Sequence, residues 1–224
     1  MLSKIKSWYD KEKRILLYSL SAGLICTASF AVYTKGYSDR IQTGIADEVI
    51  RFHIRANSDT ESDQNLKLAI KDEILNHFQE GLNSSSNIDE TRNFLLSNLK
   101  EIEECAKEVI SKEGYDYDVN VTLAQEFFPT RKYGDIYLPA GEYEALRINI
   151  GESVGENWWC VMFPPLCFVD ITKSEIDEDD DLKVQLKTIL TEDEYSIVSK
   201  SEKKGEIPIE IKFKVVEWWQ GVLK

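Results

Sequence analysis

Nineteen consecutive residues without a charge, ILLYSLSAGLICTASFAVY at 15–33, constrain this chain more than any other feature. As a helix rising about 1.5 Å per residue, the run approaches the roughly 30 Å hydrocarbon thickness of a bilayer. Lys11, Lys13 and Arg14 precede it and Lys35 lies just after it. The basic cluster on the leading side keeps the N-terminus in the cytoplasm and sends the remainder of the chain across the membrane. Residues 1–14 read as a basic cytoplasmic segment, 15–33 as a signal or transmembrane helix and 34–46 as a short polar spacer. Cleavage and retention both fit, because Ser29 and Ala31 suit a processing site yet form no clean A-x-A run. Lipoprotein processing would need a small residue where Ile25 stands, so Cys26 reads as an apolar membrane residue.

The charge balance changes sign after this segment. Residues 1–33 carry five basic and two acidic side chains, so the rest of the chain holds −16 against −13 for the whole. Such an excess of carboxylates repels phosphate backbones, which disfavours nucleic acid as a ligand. With 42% hydrophobic residues and five prolines, the chain has the means to fill a core.

Beyond the spacer, Ile50, Phe52, Ile54 and Ala56 alternate with Arg51, His53 and Arg55, the pattern of a half-buried strand with one charged face. Asn57, Ser58 and Asp59 shape a polar turn, and Ser62 or Asp63 caps a helix whose stripe is Leu66, Ile70, Ile74 and Phe78, up to Gly81. A second helix starts at a capping box of Asn87 and Glu90, carries Leu95, Leu99, Ile102, Ala106 and Val109 on one face, and ends at Gly114. Alternation then predicts two neighbouring antiparallel strands, one with Tyr115, Tyr117, Val119, Val121 and Leu123, the other with Leu146, Ile148 and Ile150. The run 157–170 (NWWCVMFPPLCFVD) is apolar and aromatic, and Pro164 and Pro165 exclude a continuing helix or central strand there. Residues 175–181 are a solvated acidic run before a weak helix near 182–190, 201–205 a linker, and 207–216 a late strand before Trp218 and Trp219. The expected fold is α/β of the α+β type, a mixed, largely antiparallel sheet packed against two or more helices.

Chemistry is sparse. The chain has two histidines, His53 and His77, and no H-E-x-x-H or C-x-x-C spacing, so neither a metal nor a cofactor is expected. His53 with Asp59 or Asp63, and Ser58 on the turn, form the one acid–base grouping to weigh, but no G-x-S-x-G context supports it. Asp170 and Asp177 read as solvating charge. Cys105 faces the core of the second helix, while Cys160 and Cys167 are either bridged across the proline turn or two buried thiols. In Trp158 and Trp159 adjacent strand residues point to opposite faces, so one belongs to the core and the other needs a separate cover, a helix or a partner.

Three blocks together carry a resemblance: 51–64 (RFHIRANSDTESDQ) followed by Leu66-Lys67-Leu68, 128–151 (FPTRKYGDIYLPAGEYEALRINIG), and 157–170. They resemble the stage II sporulation protein R family, over about residues 50–170. The resemblance implies a signalling protein exported across the forespore membrane into the intermembrane space. There it activates a membrane-embedded aspartic protease of the mother cell, which processes the early mother-cell sigma factor precursor. It implies a ligand, not an enzyme, with 47–172 as the family-like domain and 173–224 as an acidic extension packed on it. The partner contacts it suggests are Arg51, His53, Asp63, Gln64, Arg131, Tyr133, Asp135 and an exposed member of Trp158 and Trp159, taken as the residues folding needs least. The alternative is an extracytoplasmic hydrolase or wall-binding protein using His53 with Asp59 or Asp63.

Overall fold

A computed structural model describes residues 2–133, 136–168 and 181–199. The chain divides into a unit over 1–42 and a second over 43–224. Helix α1 (Leu2–Asp47) contains the apolar run and is long and apolar enough to cross a membrane. It does not stop at the expected spacer: 34–46 continue as helix, because no proline interrupts them.

In the second unit a four-stranded sheet has the order β2–β5–β1–β6, where β1 is Ile50–Arg55, β2 Val119–Phe128, β5 Gly141–Ile150 and β6 Asn157–Phe163. β1 runs parallel to β5, with Phe52 opposite Leu146, and antiparallel to β6, with Phe52 opposite Cys160. β2 and β5 are antiparallel, with Val121 opposite Ile148, as the alternation indicates. The sheet is thus mixed and largely antiparallel. β6 lies at an edge and ends before Pro164, where a missing backbone N–H disturbs no ladder. A separate hairpin, β3 (Arg131–Tyr133) and β4 (Ile136–Leu138), was not legible as strands.

Helices α2 (Glu61–Ser84) and α3 (Ile88–Lys112) cover one face of the sheet. Ile50, Phe52, Ile54, Leu146 and Ile148 meet Leu66, Ile70, Ile74, Ile102 and Val109 there, all buried. Each such side chain contributes about 1.5–3 kcal/mol when fully buried. Thr60 caps α2 by accepting the Asp63 N–H at 3.3 Å, in place of Ser62 or Asp63. The helix runs on past Gly81 to Ser84, and Gly81 is a close-packing position in place of a cap, facing the ring of Phe94 on α3 where a Cβ would collide. Asn87 Oδ1 accepts from Glu90 N at 2.9 Å, and Glu90 reaches back to Ser86 N at 2.7 Å, so the expected box closes one residue earlier on its return side. At the far end Gly114 has φ 83°, Tyr115 N donates to Ile110 O and Gly114 N to Ser111 O, a Schellman closure.

Tyr115 and Tyr117 stack on each other outside β2, which begins at Val119. The weak helix near 182–190 is α4 (Asp181–Ile189), and a further helix, α5 (Glu192–Ser199), packs against β4. Asp135, Asp170, Asp177, most of the acidic run, the linker, the late strand and Trp218 with Trp219 lie outside the described residues.

Candidate functional site: the helix-free face of the sheet

β1 is not half-buried. Arg51 and His53, expected on an open charged face, are 0% and 2% exposed. The reason is topological: β1 lies between β5 and β6, and its second face is roofed by Phe128, Tyr133, Tyr143 and Trp159. The Arg51 guanidinium carbon sits 4.3 Å from the Phe128 ring centre and 4.9 Å from that of Tyr143, and Nη2 donates to the Tyr133 hydroxyl at 3.0 Å. Burial draws the Arg51 pKa down, with Tyr133 and Tyr143 opposing. A cation held among aromatic rings gains from their faces, though it still misses hydrogen bonds.

His53 lies edge-on to Trp159 at 4.8 Å between centres and 5.8 Å from Phe128. Burial lowers its pKa to about 4, helped by the charges of Arg147 and Arg55. It is therefore neutral near pH 7, and the 4.0 Å approach of Glu126 is not an ion pair there. Glu126 instead accepts from Arg147 at 3.3 Å. Arg131 lies over Trp159, 5.1 Å from its ring centre.

The residues singled out in the sequence separate into two groups. Arg51, His53, Arg131, Tyr133 and Trp159 come together on this face. Trp158 points the other way, toward Phe52 and Lys71 on the helix side. Asp63 and Gln64 build a loop junction: Asp63 Oδ2 accepts from Ser58 Oγ at 2.5 Å and Asn57 Nδ2 at 2.9 Å, and Oδ1 from Tyr117 at 3.1 Å. Burial pushes the Asp63 pKa up, but these donors outweigh it and hold the carboxyl below its usual range. Gln64 donates to Ser58 O at 2.9 Å and receives Lys67 Nζ, which also donates to Glu156 O at 3.0 Å. Asp63 and Gln64 are tied into this junction by several hydrogen bonds, whereas Arg51 is fully buried with a hydrogen bond from Nη2 to Tyr133.

The acid–base grouping is not assembled. His53 faces away from the helices, whereas Asp63 stands on α2 and Asp59 accepts the Glu156 N–H at 2.6 Å. Cys105 is buried, and burial with nearby Glu73, Glu108 and Glu101 pushes its thiol up to about 11, which removes thiolate reactivity. His77 is a surface residue 3.1 Å from Glu101. Cys160 and Cys167 are joined in the structure, their Cα atoms 5.7 Å apart. Among the described residues no group of three or more His, Cys, Asp or Glu could hold a metal ion. Arg55, Arg147, Glu126 and Asn157 also line the face and were not singled out. Arg55 continues the Arg51–His53 parity, but nothing local says that Arg147 stands beside His53.

Together these features define a class: a mixed α/β domain following an apolar, membrane-length helix, with an arginine-rich, aromatic-roofed sheet face. The family model for stage II sporulation protein R matches residues 46–173, and the chain belongs to that family. Stage II sporulation protein R of Bacillus subtilis (strain 168) is 39% identical over 181 residues, covering 78% of this chain and 81% of that protein. No solved structure matches. The chain is thus a sporulation protein whose N-terminal helix fits a signal or membrane anchor.

Proposed function

We propose that this protein is the exported signal by which a forespore activates a membrane-embedded aspartic protease of the mother cell, leading to processing of the early mother-cell sigma factor precursor. Family membership over 46–173 carries this reading. The chain leaves the forespore through its N-terminal helix and works in the intermembrane space, anchored if that helix is retained. It does no bond chemistry itself: the folded domain binds the protease and favours its active arrangement through contacts the inactive one does not offer. Among the described residues the carboxylate nearest to pairing with His53 is Glu126, 4.0 Å away and hydrogen-bonded to Arg147, an arrangement that supports a ligand reading over a hydrolase.

Co-production of the full chain, the protease and the sigma precursor in non-sporulating cells tests it. Shortening of the precursor should require both the chain and an export-competent helix. Processing that proceeds equally without the chain would refute the reading.

A further inference from the structure

Among the described residues, the buried side-chain nitrogen and oxygen atoms without a hydrogen-bond partner are Arg51 Nε and Nη1, both ring nitrogens of His53, Thr122 Oγ1, Arg131 Nε, Arg147 Nε and Asn157 Oδ1. All belong to the helix-free face or to Arg131 at its border: Thr122, Arg147 and His53 form one row across β2, β5 and β1, and Asn157 pairs with Arg55 in the next. Native proteins keep such atoms few, so their concentration on one face is informative. Charge points the same way. Arg51, Arg55, Arg131 and Arg147 gather here, and among the described residues the one carboxylate ion-paired to any of them is Glu126, on Arg147. This happens in a chain of net charge −13.

At its open end the face becomes a shallow groove lined by Arg55, Arg131, Asn157 and Trp159 together with Asp59 and Glu156. Beside it Val154 stands 71% exposed. That exposure is built in, because the loop's amides are committed inward: Glu152 N to Asn57 Oδ1, Val154 N to Asn57 O, Gly155 N to Ala56 O and Glu156 N to Asp59 Oδ1. Ser153, at φ 55°, turns the chain so that Val154 is presented. A rigid loop presents its side chain with little further loss of entropy on binding.

We propose that this groove receives a peptide segment of the partner carrying one carboxylate beside an apolar residue. The carboxylate meets the guanidinium groups of Arg55 and Arg131, and the apolar residue packs on Val154 and Trp159. Charge-assisted bonds from arginine suit a planar carboxylate. Asp59 and Glu156 repel any anion in the groove, and a phosphate dianion, an anionic bilayer or a nucleic acid, carrying more charge, meets that repulsion and the acidic remainder of the domain more strongly than a single carboxylate does. This deepens the proposed function by giving the chemistry of the partner's contact, and it rests on that reading for the identity of the partner.

The test uses the full chain in neutral-detergent micelles as bait for a displayed library of random heptapeptides. The expected result is enrichment of Asp and Glu next to an apolar residue by about tenfold over the unselected pool. That enrichment should vanish with the Arg55→Gln, Arg131→Gln double variant, whose folded state is verified by its thermal midpoint, since Arg55 is exposed but Arg131 is half-buried against Trp159. No acidic enrichment, equal enrichment on the double variant, release of the peptides by millimolar inorganic phosphate, or capture by phosphatidylglycerol vesicles dependent on the two arginines would each overturn the proposal. The selection reads peptide capture and not sigma-factor processing. Failed selection with intact processing removes the groove and leaves the proposed function standing, and acidic selection without processing does the reverse.

Discussion

The Tyr133 hydroxyl, on the β3–β4 hairpin, is the hydrogen-bond partner of a guanidinium buried at the centre of the sheet, Arg51, 82 residues earlier in the chain and 3.0 Å away. Tyr133→Phe keeps the ring against Arg51 and removes the one side-chain hydrogen bond that Arg51 makes among the described residues. A charged-group hydrogen bond lost in the interior costs about 1.5–3 kcal/mol, and denaturant unfolding of the full chain in detergent should show a loss of that size. Arg51→Met removes the charge together with its unmet hydrogen bonds, so it should cost less than Tyr133→Phe or even stabilise.

His53 gives a pH dependence with a defined sign. Its folded pKa, about 4, lies below the 6.5 of the unfolded chain, so the unfolded state binds more protons between these values. The stability His53 contributes is fully present above pH 6.5 and is lost as pH falls toward 4, by about 3 kcal/mol in total. His53→Phe, which fills the space between Trp159 and Phe128 without titrating, should flatten the slope of unfolding free energy across that window.

This pair of residues also marks where the sequence stops being legible. Alternation places Arg51, His53 and Arg55 on one face and Ile50, Phe52 and Ile54 on the other, and α2 covers the second set as its own stripe implies. Alternation is silent on what lies over the first set. The roof comes from Phe128 on β2, two strands away, from Tyr143 on the neighbouring β5, from a hairpin with three residues per strand, and from Trp159 across the β1–β6 ladder. Polarity alone made an enclosed cation look like a solvated one. The turn residues were better read, since Asn57 and Ser58 both donate to Asp63 nearby, yet Asn57 also accepts from Glu152 N, and Tyr117 completing the Asp63 site depends on a contact 54 residues long.

Asp63 should be the most sensitive position of the loop junction. Asp63→Ala leaves the Ser58, Asn57 and Tyr117 donors without their acceptor, for an expected loss of about 3 kcal/mol. Because its pKa is held below the usual 3.8, the carboxylate's contribution is present above that value and disappears as pH falls through the lower folded pKa, beneath the His53 window. An acid titration of wild type and Asp63→Ala should therefore converge only at the acid extreme.

The Cys160–Cys167 bridge closes a loop with a sequence separation of 7. In the chain-entropy account a ring of that size stabilises by about 2–3 kcal/mol. Changing both cysteines to serine should lower stability by that amount, and reductant should then have no further effect on the variant's unfolding midpoint.

Gly81 offers a test in which two rules disagree. Inside an exposed stretch of helix, glycine to alanine normally stabilises by about 1 kcal/mol, because alanine loses less backbone freedom on folding. At Gly81, however, the new methyl would overlap the Cε2 and Cζ atoms of Phe94. That ring packs edge-on to Phe78 at 6.3 Å between centres, which limits its retreat on that side. Overpacking costs about 1–3 kcal/mol, so Gly81→Ala should be net destabilising. Phe94→Leu removes the ring edge, and in that background the same glycine substitution should recover its ordinary stabilising sign. A double-mutant cycle read by thermal unfolding should give a favourable coupling of at least about 1 kcal/mol between the two changes, and simple additivity would show that α2 and α3 do not approach through this contact.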